Sequence, residues 1–171
     1  MYVLKPLLLA GIASAGLMRR ADTQTNLQTI DTDTRALIRA EQSYNGGLFA
    51  ALSVKNAADK VDQDIKSATS DAQSSAPLSE SEAQAAIDYV NSTLEPDVAK
   101  AIDVIISKKA NFQKDGLTGT VRDELSTLRA DTQTYGEALK GIAPADKQAG
   151  ADAALAKVIA DFQRGADAYA S

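Results

Sequence analysis

The sequence has no cysteine, no histidine and no tryptophan, and only 3 phenylalanines and 4 prolines in 171 residues. Each absence removes a class of chemistry. Without histidine there is no Ser-His-Asp triad, no zinc site of the usual ligand set and no Glu-x-x-His pair for a di-iron bundle. Without cysteine there is no thiol nucleophile, no iron–sulfur cluster and no disulfide, so the fold rests on its apolar core. No glycine-rich phosphate loop of either common type occurs, and no cofactor is expected. Basic runs are also missing. The net charge is −5, which disfavours nucleic acid and anionic membrane surfaces as partners. The remaining catalytic option is a pair of carboxylates, as in glycoside hydrolysis. The acids that come into question are Asp59, Asp62, Asp64, Asp88, Asp103, Asp123, Glu124, Asp131, Asp161 and Asp167, and they fall opposite the apolar stripes. The expectation is a solvated surface and no enzyme.

The N-terminus supplies the first positive signal. Lys5 precedes a short apolar run, Leu7 to Ile12, and Ala13-Ser14-Ala15 has the small-x-small form that signal peptidase accepts. The run is too short for a spanning helix, which needs roughly 20 apolar residues. Residues 1–15 are therefore expected to be a signal peptide, with Arg19-Arg20 as a candidate second processing site. A single helical domain over residues 21–171 is expected to follow, secreted to the extracellular space or cell wall. Loss of Lys5, Arg19 and Arg20 takes the net charge from −5 to −8.

The remainder reads as amphipathic helices. Helix one is predicted from about Asp22 to Ser43, with Leu27, Ile30, Thr34, Leu37 and Ile38 on its stripe, and Gly46-Gly47 ends it. Helix two carries Leu48, Leu52, Ala58, Val61, Ile65, Ala68 and Ala72. Ser79 and Glu82 form a capping box ahead of Ala83, Ile87, Val90 and Leu94. Glu95-Pro96-Asp97 marks a predicted boundary, followed by Val98, Ile102, Ile105 and Ile106 and a stop at Asp115-Gly116. Thr118 or Thr120 is expected to cap helix five, whose stripe is Val121, Leu125, Leu128, Thr132, Tyr135 and Leu139, ending at Gly141. Helix six carries Ala151, Leu155, Val158, Ile159, Phe162 and Tyr169. No period-two alternation is sustained, so the fold class is all-α, an up-and-down bundle of five to six amphipathic helices.

Two features bear on function. Thr34 and Thr132 sit where core residues are expected. Either each hydroxyl bonds the carbonyl one turn back, or it is a polar handle inside an apolar cavity. The helix faces are also built from alanine and β-branched residues. Such faces let helices pack closely, or leave an apolar gap where helices splay.

Taken together, Tyr44-x-Gly46-Gly47, Lys108-Lys109-x-x-Phe112, and Phe162 and Tyr169 in the last helix resemble the fungal hydrophobic surface binding protein A family, which includes the ligand-binding domains of cell-wall galactomannoproteins. The resemblance runs from about Asp22 to the C-terminus. It implies a secreted helical bundle that adsorbs to hydrophobic surfaces or encloses a fatty acid between its helices. A secreted hydrolase is a further candidate partner, and the oligomeric state is open. On stripe position, Val61, Ile65, Ile105, Leu128 and Phe162 are the candidate ligand-lining residues, with Thr132 and Tyr135 as polar contacts. The alternative is a structural or antigenic wall protein with a solidly packed core. Asn91-Ser92-Thr93 is a candidate N-glycosylation sequon.

Overall fold

Apolar positions recurring every three to four residues become long helices, because only a shared buried face offsets the entropy of ordering them. A computed structural model describes residues 12–170, with side-chain detail from residue 23. Residues 1–11, which hold most of the expected signal peptide, lie outside the described residues. Helix α1 (Ile12–Ser43) is followed by α2 (Leu48–Ser74), α3 (Glu80–Tyr89), α4 (Glu95–Ser107), a short α5 (Lys109–Lys114), α6 (Thr118–Ile142) and α7 (Ala145–Ala168). There is no strand among the described residues. None of the described helices is long and apolar enough to cross a membrane.

The long rods close into a ring. Helix α2 lies between α1 and α6, α7 lies between α6 and α4, and α4 returns to α1. Consecutive rods run antiparallel. Near the α2–α3 turn, the start of α1 meets the end of α2 through Asn26 and Asp71. Ring neighbours not adjacent in sequence run parallel: Tyr89 bonds Asp31 and Arg35 bonds Asp97 between α1 and the α3–α4 rod. One end of the bundle, termed upper, therefore holds the α1–α2 turn, α5 and Tyr169. The lower end holds the α2–α3 and α6–α7 turns.

The capping box forms as expected: Glu82 N–H donates to Ser79 Oγ, and Ser79 N–H donates to Glu82 Oε2. Such a cap contributes about 1 kcal/mol. The boundary at Pro96 does not form. Instead Val90–Leu94 is a π-helical turn that joins α3 to α4, with Glu95 N–H reaching back to Val90 O. Proline has no N–H and clashes with the carbonyl four residues earlier, and one wide turn shifts that register without ending the helix. Neither Thr118 nor Thr120 caps α6. Leu117 stands at that position with no side-chain cap bond, and its N–H closes the preceding turn onto Phe112 O. Helix α6 also runs past Gly141 by one residue. Leu48 and Leu52, expected on the buried face of α2, are 67% and 54% exposed. The inward face there is Ala51, Val54 and Ala58.

The short motifs at residues 44–47 and 108–112 converge with Tyr169 on the upper end. Tyr44 stacks on Phe112 with ring centroids 4.0 Å apart, and Phe112 meets Tyr169 edge-on at 6.3 Å. The Tyr169 hydroxyl donates to Ile105 O at 2.6 Å. Asp115 accepts from both the Tyr44 hydroxyl and the Gly47 N–H. These bonds hold its carboxyl below the usual range, while burial and the Asp115 charge push Tyr44 up to about 12. Gly46 and Gly47 have φ of +106° and +96°, which side-chain-bearing residues rarely adopt. Lys108 Nζ adds bonds to Gln42 O and Asn45 Oδ1. The Tyr-x-Gly-Gly and Lys-Lys-x-x-Phe motifs thus build a closed aromatic plug.

Candidate functional site

Alanine supplies too little volume to fill the ring, and three cavities lie in line along its axis. The upper one has about 290 Å³, framed by Ala51, Ala58 and Ala101 with Ile105 and Phe112. The middle one has about 50 Å³, between Ile30, Val61, Ile65 and Val98. The lower one has about 90 Å³, beside Leu27, Ala83, Ala86 and Ala154. Leu37, Ala101, Leu128 and Phe162 border both the upper and the middle cavity. Leu94, Thr132, Tyr135 and Val158 border both the middle and the lower. Single layers of side chains therefore separate the compartments. An apolar cavity of about 150 Å³ already accepts a benzene-sized guest, so the upper compartment alone has room for a larger one.

All seven candidate residues line this series. Val61 and Ile65 face the middle cavity and Ile105 the upper one. Leu128 and Phe162 form the upper wall, while Thr132 and Tyr135 form the lower. The two in-stripe threonines part company. Thr34 Oγ1 donates to Ile30 O at 2.8 Å, the local bond common in helices. Thr132 Oγ1 makes no such bond. It is buried without a partner among the described residues, and so is the Tyr135 hydroxyl. Leaving a buried hydroxyl unbonded costs about 1–3 kcal/mol, so both groups are poised for an incoming partner. Burial, then the charge of Asp71, pushes Tyr135 far above the ordinary tyrosine range and keeps it a donor.

One site residue escaped sequence reasoning. Glu41 lies a turn beyond Leu37 on the α1 stripe and is 3% exposed, with its side chain on the upper cavity. The signal was available: positions 27, 30, 34, 37 and 41 share a face. Glu124, expected on the solvated side of its helix, also reaches this cavity at its rim, where Lys55 Nζ pairs with it at 3.2 Å. Position 124 is one turn before Leu128, at the edge of the apolar stripe. Leu48 and Leu52 border the same opening, and Phe49 beside them is 93% exposed.

Other acids occur in pairs that clip neighbouring helices together through a shared lysine or arginine, and of these Asp31 is itself buried. Arg35 bridges Asp31 and Asp97, Lys60 bridges Asp33 and Asp64, and Lys66 bridges Asp62 and Asp131. None of these six acids borders the three axial cavities. Asn91 sits in the π turn. Its Nδ2 donates to Ile87 O, and its Oδ1 accepts from Lys157, so the sequon's acceptor nitrogen is engaged within the helix.

The model of the hydrophobic surface binding protein A family matches residues 21–141. The chain belongs to that family. Its relatives include cell wall mannoprotein 1 of Aspergillus fumigatus, 32% identical over 151 residues, which are 88% of this chain and 52% of the relative. Cell wall mannoprotein 1 of Aspergillus flavus is 30% identical over 164 residues, 94% of this chain and 59% of the relative. The chain thus spans little more than half the length of these mannoproteins. Among solved structures, AFMP4P in complex with palmitic acid superposes with a TM-score of 0.85 at 25% identity, covering 88% of this chain and 99% of the other. Ligand-binding domain 1 of Penicillium marneffei MP1, complexed with arachidonic acids, has a TM-score of 0.84 at 19% identity, covering 90% and 99%. The latter likeness establishes the shared all-helical fold. A closed ring of helices with apolar compartments along its axis is the hydrophobic surface binding protein A architecture as this chain builds it.

Proposed function

We propose that this member of the family is a secreted, non-enzymatic binder that holds a fatty-acid-like chain along the axis of its bundle. The observation that carries the reading is the row of three apolar compartments with two unpartnered hydroxyls, Thr132 and Tyr135, at one junction. Opening the thin walls at Leu128 and Thr132 gives one channel. Burial is worth about 0.8 kcal/mol per methylene, so a sixteen-carbon chain gains roughly 12 kcal/mol before losses of translational and chain freedom. With those losses at their low end, about 4 kcal/mol, roughly 8 kcal/mol remains, which is micromolar affinity. The fatty-acid complexes of the structural neighbours and the cell-wall names of the relatives support the reading and the extracellular setting. The solidly packed alternative fits poorly with aligned cavities. Two-acid hydrolysis fits poorly too: Glu124 at the upper cavity is tied to Lys55, leaving one free acid where two are needed.

A second mode is favoured by Leu48, Phe49 and Leu52, which put apolar side chains in water at the upper opening. They are the natural first contact with a hydrophobic surface.

Titration of delipidated protein with palmitate and with a matched alkane tests the polar junction. Thr132→Val keeps shape and removes a donor. One charge-assisted hydrogen bond is worth about 1.5–3 kcal/mol, so Thr132→Val should weaken palmitate binding about tenfold or more and leave the alkane unchanged. Tyr135→Phe should behave alike. Equal losses for acid and alkane would instead place Thr132 along the tail.

A further inference from the structure

Glu41 is a buried ionisable group on the wall of the upper cavity that the proposed function leaves unused. Its Oε2 has no hydrogen-bond partner among the described residues, and its side chain faces the largest compartment inside the bundle. The groups able to carry charge around this end of the bundle are committed elsewhere. Tyr44 donates to Asp115, and Lys55 on α2 pairs with Asp59 and Glu124 on α6. Lys108, between α4 and α5, bonds Gln42 O and Asn45, and Tyr169 after α7 donates to Ile105 O. Among the described residues no cation pairs with Glu41. Burial accordingly pushes its carboxyl well above the ordinary range, and it keeps its proton.

A protonated carboxyl offers one O–H donor and one carbonyl acceptor on the same face. Its best complement is a head that is itself both donor and acceptor and carries no charge. An ionised head beside that carboxyl would find Lys55 already paired and, unlike at Thr132 and Tyr135, no unpartnered buried hydroxyl among the described residues to donate to it, which is disfavoured. We propose that Glu41 is the head-group residue of the upper cavity, and that this pole selects single-chain lipids with an uncharged hydrogen-bonding head, a primary alcohol or an un-ionised carboxylic acid. This rests on the reading that apolar chains enter the bundle, and it adds a second polar pole at the opposite end from Thr132 and Tyr135.

The test uses the delipidated full chain, with 1-dodecanol, dodecyl sulfate and dodecane delivered from cyclodextrin. In a Thr132→Val, Tyr135→Phe background, which removes the hydroxyls of the other pole, the protein should bind dodecanol at least tenfold more tightly than dodecyl sulfate, and the Glu41 variants are compared in that same background. Glu41→Leu should lose about tenfold for dodecanol, the value of roughly one hydrogen bond, with dodecane unchanged. Glu41→Gln keeps a neutral donor and acceptor and should stay within about threefold of that background, a difference under half a hydrogen bond. Dodecanol binding undiminished in Glu41→Leu, or dodecyl sulfate matching dodecanol in the Thr132→Val, Tyr135→Phe background, overturns the assignment while chain binding stands. If Glu41→Leu does not fold, a loss well beyond tenfold in folded Glu41→Gln overturns it equally. Failure of wild type to bind even dodecane overturns the binding reading itself, and this assignment with it.

Discussion

Leu128→Ala probes the wall between the upper and middle cavities. Leu128 is 2% exposed and borders both compartments. The substitution removes three carbons, a transfer loss of about 2.4 kcal/mol at 0.8 per methylene. In a close-packed core the new void raises such losses to as much as about 5 kcal/mol. Here Leu128 already faces space on two sides, so fewer contacts are lost and the cost should lie at about 2–3 kcal/mol. Denaturant unfolding of delipidated protein measures it as a lower midpoint at unchanged slope. Removing the wall also merges two compartments, so the variant should bind palmitate at least as tightly as wild type. A loss above about 4 kcal/mol with weakened binding would mean a solid core at this level. A loss below about 0.5 kcal/mol would put Leu128 on the surface.

Filling the upper cavity should have the reverse effect: Ala58→Leu adds buried methylenes, stabilises the delipidated protein by about 1 kcal/mol and weakens palmitate at least tenfold, both read in the same two assays. Glu41 binds its proton more tightly folded than unfolded, so wild type loses stability as pH rises through and above the ordinary glutamate range. Glu41→Gln has no proton to lose; it should match wild type near pH 4 and exceed it increasingly toward neutrality, and parallel stability profiles would refute the buried neutral acid. Gly47→Ala forces a side chain into φ +96° beside the aromatic plug, and should cost about 1–3 kcal/mol in thermal or denaturant unfolding.

Much of the architecture was legible because period and punctuation agree. The stripe from Leu27 to Leu37, the capping box at Ser79 and the stop at Gly116 each report a local physical requirement. Pro96 misled because its effect depends on the helix before it. A π turn over Val90–Leu94 absorbs the proline, and nothing local announces that turn. Leu48 and Leu52 misled because period locates a face without saying whether the neighbouring helix covers it at that height. The site was legible in the same uneven way. Stripe position found Leu128, Thr132 and Tyr135, since core-facing residues necessarily line any gap in the core. It did not distinguish Thr34, which bonds its own helix, from Thr132, which does not. It passed over Glu41, because acids are ordinarily read as solvent-facing, though the stripe itself pointed inward there.

Enclosure of a single apolar chain by the bundle, as proposed, has a direct readout. Native mass spectrometry of the protein purified from culture medium, before and after organic-solvent extraction, tests it most directly. An enclosed chain gives a species heavier by one acyl chain that disappears on extraction and returns when palmitate is added back. A single unliganded mass throughout, including after palmitate addition, would contradict it.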